Sequence, residues 1–454
     1  PTDFTLSDLM IGQSKFDDIV NYCDKEMLEA ANALPATYED PAKYGRITKI
    51  MALTVRARML LFAASPLVNG NPWYKDYRNK SGELIFNPTY DPQKWVKAAE
   101  ACKLCVDEAE KAGYKLYKEY NDDGSIDPFM STYNVHLKRW SEGNREITFP
   151  VTKGNAYKQI DGLLNWCSVR EVGGGNGLGV YQGLVDAFFT KNGLPISDVN
   201  SNYNEEGFSN AVDTRNTKWE YGTGKPGEVT AKHTYNMYCN REPRFYVSVS
   251  YNNSYFTQEQ RPFEFFNGGK DNPHTHDAPQ NGYLVRKKLS PNSNVKQGNI
   301  QYRPGILYRL GEAYLNYAEA LNESNPGNAD ILVYLNKIRE RAGVRQYTTG
   351  STDNNFIHVD LNDQDAMRKL IHAERHVELC CEGLRYDDLR RWKEAEKELN
   401  GDFYGMNFNG KDAASFYQLT PYQKRVYKKA FYWMPIHRSE MDKNSKLVQA
   451  PYWK

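Results

Sequence analysis

The chain has 454 residues, 40% hydrophobic and 25% charged, a composition that suits a globular protein with a large buried core. Lys+Arg number 58 and Asp+Glu 57, and a net charge of +1 gives no argument for a nucleic-acid or anionic-membrane partner. No run of 18 apolar residues exists, so no segment reads as a bilayer-spanning helix.

Residues 14–33 place Phe16, Ile19, Val20, Cys23, Met27, Leu28 and Ala31 at helical spacing. Residues 45–65 predict a second helix. It ends at Ser65-Pro66, because the residue before proline avoids the helical region. A third helix is predicted over 93–112. From about 114 to 305, Gly, Asn, Tyr and Pro are frequent and helical periodicity fades, which predicts loops, short strands and a short helix at 182–190. RFYVSVSYN (244–252) alternates and predicts a strand. Helices return at 306–323, where Leu310, Ala313, Tyr314, Tyr317, Ala318 and Leu321 share a face. The next helix runs to Gly343, a fitting C-terminal glycine, and the pair resembles a tetratricopeptide unit. Further helices are predicted at 364–382 and 385–399, then an aromatic, ordered tail.

The expected architecture is mostly α: tetratricopeptide-like helical hairpins with a loop-rich region of short strands packed on them. One domain spans 1–454. Within it, 1–113 is helical, 114–305 loop-rich and variable, 306–400 helical again, and 401–454 a C-terminal tail.

HAERHVELCCEGLRYDDLRRW (372–392) raises a metal question. His372 and His376 share a helical face, but a zinc-protease helix needs glutamate directly after the first histidine. Here Glu374 lies off the metal-facing side. Glu374, Glu378 and Glu382 interleave with Arg375 and Arg385, which suits ion pairs on a helix surface, so the stretch reads as structural. Cys102 and Cys105 sit inside a predicted helix with no second cysteine pair, and seven cysteines show no disulfide spacing. HTHD (274–277) reads as a polar loop. NDDGSIDP (121–128) lacks EF-hand spacing. EVGGGNGLG (171–179) is no phosphate loop, but lets a ligand approach backbone closely. No nucleophile elbow is present. The reading therefore assigns no catalytic residue, metal or cofactor.

The aromatics remain: 33 Tyr, 19 Phe and 8 Trp. Trp95 and Trp392 fall in predicted helices. Trp73, Tyr74, Trp140, Tyr157, Trp166, Tyr181 and Trp219 fall in polar or glycine-rich surroundings. Each either anchors a loop or stacks on the apolar face of a sugar ring. Trp166, Tyr157 and Tyr181 are the first choices as ligand-binding residues.

Several stretches, in order, resemble the SusD/RagB family of surface nutrient-binding lipoproteins of Bacteroidota. GRITKIMALTVRARMLLFAASPLVNGNP is similar to its helix with an A-S-P-L-x-N ending. GVYQGLVDAFFTKNGLPI resembles its D-A-F and N-G-x-P-I stretch. REPRFYVSVSYN resembles its D-P-R-F segment, with Glu242 where Asp is usual. LYRLGEAYLNYAEALNE, LNKIRERAGV and HAERHVELCCEGLRYDDLRRW are similar to its C-terminal helices. MPIHRSEMDKNSKLVQAPYW resembles its final motif, with His437, Ala450 and Trp453 as departures.

The resemblance implies a non-catalytic protein that binds an oligosaccharide or polysaccharide. It implies a SusC-like TonB-dependent transporter as partner at the outer-membrane surface, and membrane attachment only through a lipid anchor outside this sequence. Pro1 aligns inside the family pattern, so a preceding segment carrying the signal, the lipid site and some ligand-contacting aromatics is expected to be absent, as in a processed or trimmed product. Peptide binding by the same architecture is the alternative. A zinc or carboxylate-pair hydrolase and a purely structural scaffold stand behind it.

Overall fold

The structure is a computed structural model that describes residues 5–152, 166–219, 225–272, 277–294, 296–298, 301, 303–350 and 353–453. Its long helices are α1 (Phe16–Ala33), α2 (Lys49–Ala64) and α3 (Gln93–Lys111). Three short helices follow in the loop-rich region: α4 (Pro128–Asn134), α5 (Gln182–Ala187) and α6 (Pro243–Ser248). The C-terminal set is α7 (Leu310–Ser324), α8 (Asp330–Ala342), α9 (Gln364–Glu378) and α10 (Arg385–Arg391). The fold is mostly helical, and the strands are short and paired in twos among the described residues.

Local chemistry sets the helix ends. Thr48 Oγ1 accepts from Met51 N–H at 3.2 Å and starts α2. Ser65, held extended before Pro66, stops it. Helices α1 to α3 pack in sequence, α3 lies against α7, and α7 packs on α8 and α9. Small residues at the crossings (Ala57, Ala109, Ala313, Ala318) let the backbones approach around Leu315, Ile331, Leu335 and Ile338. The α7–α8 hairpin is the tetratricopeptide-like unit read from the sequence. Gly343 ends α8 at φ 68°, and a Cβ there would meet Pro128 Cγ at 2.6 Å. One glycine thus caps the hairpin and admits α4 of the loop-rich region against it.

The loop-rich region has its own core, in which Phe188, Tyr238, Phe245, Tyr251 and Tyr283 are fully buried. Here the sequence reading needs correcting. Residues 244–252 are not one strand: α6 covers Pro243–Ser248, and only Val249–Tyr251 pairs with Tyr283–Val285. Pro243 opens the helix with its preset φ, and every residue from Arg241 to Tyr251 is buried, so the alternation there marked no exposed face. Other elements shift too. Gly305–Arg309 is a strand paired with Ile147–Val151, the helix begun at Gln364 ends at Glu378, and a hairpin of Gly401–Met406 with Leu419–Arg425 lies in the tail. The tail is laid on the body as expected: Gln13 Nε2 donates to Val448 O at 2.8 Å, and Trp433 packs edge-on against Phe86 at 5.0 Å.

The largest correction concerns the α9 glutamates. They are not a solvated face. Glu374 and Glu378 are 0% and 2% exposed. Arg244 donates to Glu242 and Glu374, each at 2.6 Å, and to Glu378 at 3.1 Å. Arg309 pairs with Glu146 and Glu378 at 2.7 Å and with Glu382 at 2.8 Å. Arg339 pairs with Glu374 at 2.8 Å, and Arg341 with Glu146 and Glu378. This network joins α8 and α9 to α6, to the strand that ends at Arg309 and to Glu146 just before its partner strand. It fastens the loop-rich region to the helical body.

Candidate functional site

The seven aromatics selected from sequence part company in the structure. Tyr74 and Trp219 are core residues, 1% and 6% exposed, and have no face left for a ligand. Tyr74 packs on Phe86 at 4.9 Å. Trp219 meets Tyr133 edge-on at 5.1 Å, with the Arg286 guanidinium 4.5 Å over its ring. Trp140 is half-buried between Tyr114 and Arg145, the latter 3.8 Å from its centroid. Trp73 is covered by Lys393 and Lys429 at 4.0 and 4.3 Å. Tyr181 packs on Phe403 at 5.4 Å, and burial pushes its phenol pKa up. Tyr157 lies outside the described residues.

Trp166 is different: it is 54% exposed. The glycine-rich loop explains how so large a ring is held there. Trp166 O accepts from Leu178 N–H at 2.9 Å, Ser168 O from Asn176 N–H at 3.1 Å, and Val169 O from Gly174 N–H at 2.9 Å. The loop therefore folds back along residues 166–169. A Cβ at Gly175 or Gly177 would sit 2.7 Å from Trp166 Cε3, so the ring rests where side chains would otherwise stand. At Gly174 a Cβ would meet Ser168 O at 2.0 Å. Side chains able to hydrogen-bond sit on the same loop. Arg170 pairs with Asp277 at 2.6 Å, Glu171 with Arg261, and Asn176 Nδ2 donates to Asp277 O at 2.6 Å. Trp166 thus presents an exposed ring on a loop that also carries Arg170 and Glu171.

We expect Gly174→Ala to disturb this loop while leaving the helical body intact, because the clash is with backbone that cannot swing aside. Any glycan affinity shown by the wild type should fall at least tenfold, with the far-ultraviolet circular dichroism unchanged. Unaltered affinity would show that the loop geometry does not matter to binding.

The other motifs resolve into structure. His372 stacks on Trp392 with centroids 3.5 Å apart. Burial and the neighbouring Arg385 lower the His376 pKa to about 3. Cys102 and Cys105 are buried in α3. Asp127 is the N-cap of α4 and also accepts from Thr217 Oγ1 and Lys218 N–H, each at 2.7 Å. Asp123 Oδ1 is occupied by Ser125 N–H at 2.9 Å. Of HTHD, His274 and His276 lie outside the described residues. Among the described residues no three His, Cys, Asp or Glu side chains converge as a metal would require, and no helix is long and apolar enough to cross a membrane.

Sequence reasoning missed a second aromatic surface. Phe208 is 42% exposed and meets Tyr235 and Tyr417 edge-on at 5.5 and 5.7 Å. It is the single aromatic in NEEGFSNAV, and nothing in that stretch announces partners drawn from other parts of the chain.

Tetratricopeptide-like helical hairpins with a loop-rich region packed on them define the class of scaffold. The profile of the SusD family matches residues 144–453, more than half of the chain, and the chain belongs to that family. Among curated relatives, SusD-like protein P2 of Formosa agariphila is 29% identical over 188 residues, which cover 41% of this chain and 34% of that protein. The aligned part thus spans about a third of that relative's length. Among solved structures, the selenomethionine form of BT4246 superposes with a TM-score of 0.77 at 26% identity, covering 97% of this chain and 79% of that one. A SusD-like carbohydrate binding protein of Bacteroides fragilis, BF0978, shares the fold with a TM-score of 0.68 at 19% identity, over 98% of this chain and 74% of that one.

Proposed function

We propose that the protein binds an oligosaccharide or polysaccharide at the cell surface without transforming it, and passes it to a SusC-like TonB-dependent transporter in the outer membrane. The precursor would be lipid-anchored there. Membership of the SusD family supports this reading, and the observation that carries it is the exposed Trp166 ring held on its glycine loop. The axial C–H face of a pyranose is apolar and packs on such a ring, while the exposed charged groups of Arg170 and Glu171 suit its hydroxyls. Tyr181, Trp73 and Trp140 supply packing beneath the loops more than ligand contact.

The test is direct binding to a panel of soluble polysaccharides, host glycans and peptides, by affinity electrophoresis and then calorimetry. A glycan should be selected, recovered chemically unchanged after long incubation, and lost in Trp166→Ala. Removing a stacking aromatic should cost about 2 kcal/mol or more, roughly thirtyfold in Kd. Binding of peptides alone would replace this reading with peptide capture. Equal glycan affinity in Trp166→Ala would move the site elsewhere.

A further inference from the structure

We infer that the cleft between Phe208 and Tyr417 is a second carbohydrate site, sized for one or two neutral sugar rings and independent of Trp166. The inference rests on the reading of the protein as a glycan binder and adds to it a separate small-ligand site.

The cleft has a volume of about 440 Å³ and shares no lining residue with the Trp166 platform. That volume lies within the range of small-ligand pockets, roughly 300–1,000 Å³. Its apolar side is built from rings: Phe208, Phe266 and Tyr417. These are fixed, not loose. Tyr417 stacks on Tyr235 with centroids 4.1 Å apart and planes 11° from parallel. Its hydroxyl accepts from Asn252 Nδ2 at 2.8 Å, and Asn252 Oδ1 is itself anchored by Phe265 N–H at 2.8 Å. Phe208 touches both tyrosines edge-on, and its backbone is bridged to Tyr235. A large ring left 42% exposed, yet braced by two others, is pre-organised for contact.

Polar groups line the rest of the cleft. Asn253, Glu264 and Asp412 face it beside His233 and Lys411. Asp412 Oδ1 is held in place by Ser415 N–H at 2.9 Å and Ser415 Oγ at 2.7 Å. Two carboxylates, one lysine, one histidine and two amides give the lining no dominant sign, which disfavours an ionic ligand. Apolar faces on one side and planar hydrogen-bonding groups on the other match a pyranose, whose C–H faces and hydroxyls are divided in the same way.

The lining contains no tryptophan, and this separates the two sites experimentally. Maltose, cellobiose, lactose and N,N′-diacetylchitobiose are titrated into the full chain, followed by saturation-transfer NMR and by tryptophan emission. At least one should show saturation transfer without a change in tryptophan emission. That transfer should survive Trp166→Ala, and its Kd should rise at least tenfold in Phe208→Ala and in the isosteric Asp412→Asn. The second variant keeps the ring cluster whole, so its loss of binding cannot be laid to misfolding. Transfer that disappears in Trp166→Ala, transfer untouched by both cleft variants, or no transfer from any of the four sugars would each overturn the cleft. In that last case a polysaccharide still lost in Trp166→Ala leaves the proposed function standing. Conversely, disaccharide binding sensitive to Phe208 with no glycan sensitive to Trp166 would keep the cleft and remove the platform.

Discussion

Glu378→Ala is expected to destabilise the protein by about 3–5 kcal/mol, a large share of the roughly 5–15 kcal/mol that holds a folded domain together. Glu378 is 2% exposed and receives Arg309 at 2.7 Å, Arg244 at 3.1 Å and Arg341. Burial alone would raise its pKa, but the guanidinium groups of Arg341, Arg309 and Arg244 outweigh that and hold it well below the usual carboxylate range. Removing the carboxylate leaves three buried cations sharing fewer acceptors. A buried pair is weak evidence for net stability, yet breaking one is costly, because the partner's desolvation is no longer offset. The control is Glu29→Ala, which removes an exposed pair with Lys25 at 3.7 Å and should cost at most about 0.5 kcal/mol. Urea denaturation checks both: a much lower midpoint with an unchanged slope for Glu378→Ala, and little change for Glu29→Ala. Equal losses from the two would mean that the buried network contributes no more than a surface contact.

The second large effect is loss of stability with falling pH, in two stages. His376 is lowered from 6.5 to about 3 by burial and Arg385. His136 is lowered well below 6.5, again chiefly by burial. Both are neutral in the folded state while the unfolded chain takes up protons below about pH 6.5. The unfolded state binds more protons there, so stability declines as pH falls, by up to ~1.4 kcal/mol per pH unit for each histidine. The carboxylates act lower. Glu319 would be raised by burial, but Arg391 brings it from 4.5 down to about 2. Its contribution is complete above pH 4.5 and is lost between there and about pH 2, a total of about 3 kcal/mol. Urea midpoints from pH 7.5 to 3 should show a decline starting near pH 6.5 and steepening below pH 4.5. His376→Gln should reduce the upper slope by about half and leave the lower one. A flat profile down to pH 4.5 would sink the histidine account.

Much of the fold was legible because helix periodicity and end signals are local. Thr48, Ser65-Pro66 and Gly343 mark their boundaries through contacts within a few residues, and α1, α2, α3, α7 and α8 fall close to where spacing puts them. The ordered series of motifs likewise identifies the SusD family from sequence. The site was less legible. Trp166 and Trp219 both lie in polar, loop-like sequence, yet one is 54% exposed and the other 6%.

What the sequence by itself determined was the helical scaffold and the family. Each follows from short-range backbone chemistry or from a pattern running along the chain. Tertiary structure alone decided which charges are buried and where rings meet. Glu374 and Glu378 read as surface residues because their arginine partners Arg244 and Arg309 lie 69 to 134 positions away. The Phe208 cleft gathers side chains from the segments around 208, 233, 252–266 and 411–417. No local periodicity encodes such meetings; they arise when separate buried faces dock, and docking sets which side chains lose their water.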